Sequence, residues 1–271
     1  MQTSHERPAI KPRDPGLDFD ETVPRHWFGG NALATHIANG VNLLFPAGER
    51  FFVRSVHHYL DKLDDPELRA QVKGFFAQEG RHARTHERFF ERLEEQGYEI
   101  KPFLRVYEKI AYGILEPAFP PAFRLAVTAA AEHFTAIMAE NALRERFLDR
   151  AHPALRDLLF WHAAEEIEHR AVAFDVLGTV APSYGLRVAG MALAASTLAA
   201  FWIAGTLVLL DQDRRRGDVD LLAELRKLRE HPIGQRVFLR GIKSYLRRDF
   251  HPLEAEIDGL ARQWLEAKGM A

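Results

Sequence analysis

Apolar residues recur along this chain at helical spacing, and alternating strand patterns are nearly absent. Residues 1–25 are polar and proline-rich and read as a flexible lead. The pattern then predicts a helix from about Asn31 to Lys62, broken near Pro46–Gly48. Asp64-Asp65-Pro66-Glu67 ends it and opens a second helix, which runs to about Gln96 with Gly97 as a cap. So short a link makes the two an antiparallel hairpin. Residues 98–121 mix Pro102, Gly113, Pro117, Pro120 and Pro121 with an apolar piece, enough to carry the chain back along the hairpin. A third helix is expected over about Ala122–Asp149 and a fourth over Pro153–Leu177, with only Arg150-Ala151-His152 between them.

After Pro182 the character changes. Val188–Leu210 is 23 residues without a charge, long enough to cross a bilayer. Gly190 with Ala194, and Ala195 with Ala199, give it small residues at helix-packing spacing. Three readings stay open: a membrane span or inserted helix, a helix buried against the rest of the chain, or a homo-oligomer interface. Residues 221–248 are amphipathic and basic, and a last helix is expected over about Leu253–Ala267. The expected division is a lead (1–25), a helical bundle (26–182) and a C-terminal helical region (183–271).

Two motifs lie on the predicted second and fourth helices. Glu79-x-x-His82 and Glu166-x-x-His169 each put a carboxylate and an imidazole on one helix face. Glu49 precedes the first by 30 residues and Glu132 precedes the second by 34, each in an apolar stretch. One such motif is common on solvated helices. Two, each preceded by a buried-looking Glu, form the ligand set of a two-metal carboxylate site inside a four-helix bundle. A lone carboxylate among the alanines around Glu132 is costly unless it is paired or bound to metal. The order of two hairpins joined by one long crossover is the ferritin-like connectivity, so the expected fold is an all-α, ferritin-like four-helix bundle with added C-terminal helices.

Composition narrows the chemistry. The 271-residue chain has no cysteine, so any metal is held by oxygen and nitrogen. That donor set suits iron or manganese, with zinc also admitted; two irons are the first choice, by analogy with similar folds. A net charge of −2 gives no argument for nucleic acid as a partner. Without an apolar leader the expected location is the cytoplasm, with inner-membrane contact through 188–210 as the further expectation.

His86 and His162 fall one turn from the motifs, toward the same end of the site, as does Glu140. They are candidates for a polar layer, a reserve ligand or a proton relay. His57 and His133 read as structural, and Glu165 as the four-residue alternative to Glu166 for pairing with His169. The segments Gln78-Glu79-Gly80-Arg81-His82, His162-Ala163-Ala164-Glu165-Glu166-Ile167-Glu168-His169 and Tyr245 to Pro252 together resemble the bacterial family of predicted metal-dependent hydrolases, placed among ferritin-like proteins. The resemblance covers about residues 25–268. It implies metal-dependent hydrolysis, whereas analogy with the common use of such sites in similar folds leads first to O2-dependent oxidation of a small, apolar organic substrate with an electron donor. A non-enzymatic metal-binding protein is the third reading.

Overall fold

The computed structural model describes residues 10–220, 222–224, 226 and 235–271. It is helical throughout, and one isolated bridge, Phe28 with Ala151, is the only strand-type pairing among the described residues. The first predicted helix is two: α1 (Ala32–Asn42) and α2 (Phe45–His57). The break falls at Leu43–Leu44 because Pro46 belongs to the first turn of α2, where its missing N–H costs nothing. Asp65 caps α3 (Pro66–Glu95) through the backbone N–H of Glu67. Gly97 follows with φ +83°, a left-handed conformation that favours glycine.

The crossover holds α4 (Lys101–Glu108), a seven-residue π-helical stretch (Lys109–Leu115) and the short α5 (Glu116–Ala118). Then come α6 (Pro121–Glu145) and α7 (Pro153–His169), each with proline in its first turn. The expected fourth helix stops at His169 and resumes as α8 (Val172–Val180). At the break, the buried Arg170 bonds the carbonyls of Ile167, Pro252 and Ala255 and pairs with Asp258. A partner from the far end of the chain thus interrupts a helix that local pattern would continue.

Helices α2, α3, α6 and α7 surround the polar centre. α2 and α3 run antiparallel, since Arg50 pairs with Glu87 while His57 lies beside Phe76. α3 and α7 are antiparallel too: Gln78 reaches His169, and His86 reaches His162. Apolar layers close the centre on two sides. Val56, Phe75, Leu125 and Val172 belong to one, and Leu43, Phe89, Leu158 and Trp161 to the other.

The apolar segment lies in α9 (Tyr184–Arg216), which is long and apolar enough to cross a membrane by length and composition. It packs along α6 and α1, and only 22% of its most apolar window is buried. Ile203, Leu207 and Val208 are exposed. The expected division after residue 182 falls in the α8–α9 link, but α9 covers α6, and the last helix, α11 (Asp258–Ala267), covers α7. α10 (Gln235–Tyr245) also packs on α6. Much of the basic stretch 221–234 lies outside the described residues.

The lead is the segment expected to be flexible. From Ile10 onward it lies on the helices: Phe19 and Val23 are buried, and the backbone N–H of Arg13 donates to Glu165. A charged pairing and two apolar anchors tie down a stretch whose composition alone reads as loose. Residues 1–9 lie outside the described set.

Candidate metal centre

α2 contributes Glu49, α3 Glu79 and His82, α6 Glu132, and α7 Glu166 and His169; all six are buried. The structure brings them together. Nε2 of His169 lies 3.0 Å from Glu79, 3.4 Å from Glu132 and 3.4 Å from Glu166. Nδ1 of His82 lies 3.9 Å from Glu79 and 3.6 Å from Glu166. Glu49, Glu79 and His82 offer atoms within 4.8 Å of one another.

His162 enters the same cluster, with Nε2 2.7 Å from Glu166 and 3.6 Å from Glu49. Its Nδ1 is 2.7 Å from Nε2 of His86, so one ring donates to the other. The expected outer histidine is thus in contact with the innermost carboxylates. Glu140 is not part of this network. It is partly exposed and pairs with Arg144 at 2.7 Å. Eight residues at 100° each leave it about 80° off the face of Glu132, which turns it toward solvent. His57 is exposed, and His133 faces Gly241 instead of the cluster.

The donor set fits metal ions on a specific ground. Both carboxylate oxygens of Glu49, Glu79 and Glu132, one of Glu166, Nδ1 of His82 and Nε2 of His169 are buried without a hydrogen-bond partner among the described residues. Native interiors rarely leave such groups unmatched. Metal–ligand bonds of about 2.0–2.2 Å meeting at roughly 90–110° place neighbouring donor atoms about 3.0–3.5 Å apart. The spacings around His169 have that size. A second group, His26, His36 and Asp213, could also hold an ion by proximity. Its contacts are 2.6 and 2.7 Å, and Tyr98 and Arg25 also bond Asp213. Those are hydrogen-bond lengths, and the knot ties the lead, α1 and α9 together.

Outer residues orient the imidazoles. Glu165 accepts from Nε2 of His82 at 3.0 Å, which leaves Nδ1 facing the carboxylates. Gln78 accepts from Nδ1 of His169 at 2.8 Å, which leaves Nε2 facing inward. Gln78 donates in turn to Glu168 and to the carbonyl of Lys11, and Arg13 pairs with Glu165 and Glu168. Sequence reasoning weighed Glu165 only as a rival to Glu166, and it missed Gln78 and Arg13. The available signal was Gln78 beside Glu79 and Glu165 and Glu168 beside Glu166.

Burial, and then the nearby Glu79, push Glu49 and Glu132 well above the usual carboxylate range. Burial raises Glu79 as well. Burial also works to raise Glu166, but His169 and His162 outweigh it and hold this group well below. For His169 burial opposes the charge, yet Glu166 and Glu79 hold it well above. Burial, with His162 adding to it, keeps His82 and His86 well below the ordinary histidine value. Burial also lifts Glu165 to about 7, even beside Arg13. Without bound cations the cluster holds protons in their place.

An all-helical chain with buried carboxylate and imidazole groups able to hold metal defines the class. The family model described as "predicted metal-dependent hydrolase" matches residues 11–256, and the chain belongs to that family. No curated protein and no solved structure matches it.

Proposed function

We propose that Glu49, Glu79, His82, Glu132, Glu166 and His169 hold two metal ions, that His162 adds a seventh donor, and that the pair serves metal-dependent hydrolysis, as the family's description implies. The observation behind the metal reading is the set of buried carboxylate oxygens that face one another without partners. Four carboxylates balance two divalent cations, so the loaded centre is close to neutral in its apolar surroundings. Metal ions held by these residues would supply a water of lowered pKa and Lewis-acid polarisation of a carbonyl. Glu165 and Gln78 keep the donor nitrogens of His82 and His169 turned inward. His86, 2.7 Å from Nδ1 of His162, holds that ring with Nε2 turned to the carboxylates. The apolar layers exclude bulk water. The fold belongs to the same proposal: α2–α3 and α6–α7, linked by the crossover at 98–120, form a ferritin-like bundle.

A second reading, O2-dependent oxidation with iron as the metal and an external electron donor, has its own observation. The cavity beside the cluster is lined almost wholly by apolar side chains. An apolar substrate suits oxidation of carbon as readily as hydrolysis of an ester. The exposed Ile203, Leu207 and Val208 of α9 leave contact with a membrane surface or a second copy within the proposal.

Metal analysis of the full chain tests the centre. Two equivalents are expected, with Glu79→Ala and Glu166→Ala losing at least one and His57→Ala losing none. Equal content in all three variants overturns the ligand assignment. Turnover of a panel of alkyl esters, with and without oxygen, separates the chemistries. Oxygen-independent release of acid supports hydrolysis, and oxygen-dependent optical changes and products support the second reading.

A further inference from the structure

A cavity of about 130 Å³ lies between α2, α6, the crossover and α9. Phe45 and Gly48 of α2 line it. The Phe45 ring also packs on His86 and His162, with centroids 4.9 and 4.6 Å apart, and Gly48 immediately precedes Glu49. On α6 the lining includes Ala131 and Thr135, which flank Glu132. Phe45, Gly48, Ala131 and Thr135 thus bring the cavity wall next to Glu49 and Glu132 along the chain. The crossover closes another side with Ala111 and Tyr112 of the π-helical stretch, a distortion often found at functional sites. α9 supplies the remaining wall through Thr197, Leu198 and Phe201.

Shape and chemistry both restrict the occupant. The lining on α6 runs from Phe123 to Met138, about 22 Å of helix at 1.5 Å per residue. So small a volume spread over that length is a narrow slot, which suits an extended chain better than a fused ring. Its hydroxyl groups are already engaged. Tyr107 and Tyr112 share a 2.5 Å hydrogen bond, and Thr135 and Thr197 bond carbonyls of their own helices. The charged lining residues are Glu116 and Arg124; Glu116 pairs with Arg54 at 2.7 Å. Arg124 follows Phe123, so charge is confined to one end.

We propose that this slot binds the alkyl chain of an aliphatic substrate and leads it past the Glu49 and Glu132 edge of the centre. The proposal rests on the metal reading for what happens to that chain, but not for its binding. α9 then has a role apart from any membrane: it is the outer wall of the substrate site.

Straight-chain alkanols from butanol to decanol, titrated into the metal-loaded full-length protein by calorimetry, test it. Affinity is expected to rise by up to about fourfold per added methylene, then level off once the slot is full. Thr197→Trp is expected to weaken binding at least tenfold and to bring the plateau to shorter chains; the threonine bonds only its own helix, so no outside partner is lost. Phe201→Ala is expected to move the plateau to longer chains, which keeps the test decisive if the tryptophan variant does not fold. Binding that ignores chain length, is unchanged in both variants, or is matched by naphthalene overturns the slot. Metal content counted on the same samples separates the two proposals. Two ions without alkanol binding sinks the slot alone, whereas alkanol binding without ions sinks the metal reading alone.

Discussion

Nε2 of His82 lies 3.0 Å from Oε2 of Glu165, a carboxylate that the main chain and side chain of Arg13 also hold. The contact fixes which nitrogen of His82 carries the proton and therefore which one can face the cluster. Removing such an orienting partner commonly costs 10–100-fold in metal affinity. Glu165→Leu is accordingly expected to weaken metal binding by about that factor, with Glu165→Gln, which keeps an acceptor oxygen, recovering part of it. Competition with a calibrated chelator measures both. Wild-type affinity in the leucine variant would remove Glu165 from any role in the centre.

The helices that carry the cluster were legible because prolines and caps announce them. Pro66 and Pro153 each stand in the first turn of the helix that sequence placed there, and Pro121, expected as the end of the crossover, opens α6. The repeated Glu-x-x-His spacing likewise singled out groups that do meet. What the pattern could not reveal depends on partners far away in sequence. The break after His169 exists because Arg170 bonds a segment more than 80 residues later, with |i−j| of 82 to Pro252. The lead is ordered because Arg13 finds Glu165, 152 positions on. Glu140 was misplaced by counting turns along the axis while neglecting rotation about it.

α9 touches α6 so closely that one position leaves no room for a side chain. A Cβ on Gly190 would lie 2.6 Å from the backbone carbon and oxygen of Ala126. Backbone atoms cannot swing aside, so Gly190→Ala is expected to destabilise the fold by about 1–3 kcal/mol, the usual range for overpacking. Urea unfolding monitored by circular dichroism checks this. Gly185→Ala is the control, since its Cβ meets nothing nearer than 4.0 Å. Equal stability of the two variants would show that α9 does not seat on α6 in solution.

His133 gives a pH dependence with a definite sign. Its Nε2 donates to the carbonyl of Gly241 at 2.9 Å, which docks α10 on α6, and burial lowers its pKa to about 4. The unfolded chain takes up this proton near the ordinary value of 6.5. The contribution to stability is therefore fully present above about 6.5 and is lost as pH falls from there toward 4. At about 1.36 kcal/mol per unit it amounts to about 3 kcal/mol. His133→Gln keeps a donor without titrating, so its stability should fall less steeply between pH 7 and 4.5. Parallel denaturant curves at those two values would decide it, and equal slopes for variant and wild type would rule it out.

Glu132 allows the centre to be tested through stability alone. Both of its carboxylate oxygens are buried without a hydrogen-bond partner, directly after Ala129, Ala130 and Ala131. Burial, with Glu79 adding to it, raises its pKa well above the ordinary value, so in the metal-free chain the group resists ionisation and strains the fold. Replacing such an unsatisfied buried group with an apolar one of similar size removes its desolvation penalty, about 1–3 kcal/mol. Metal-free Glu132→Leu is therefore expected to melt above the metal-free wild type. The order should reverse when metal is added, because ligand binding stabilises only the chain that binds it, by about 2.7 kcal/mol at a hundred times Kd. The crossing of the two melting temperatures is the diagnostic. A metal-free variant less stable than the wild type would mean that Glu132 serves the fold, and an undiminished response to metal would mean that it is no ligand.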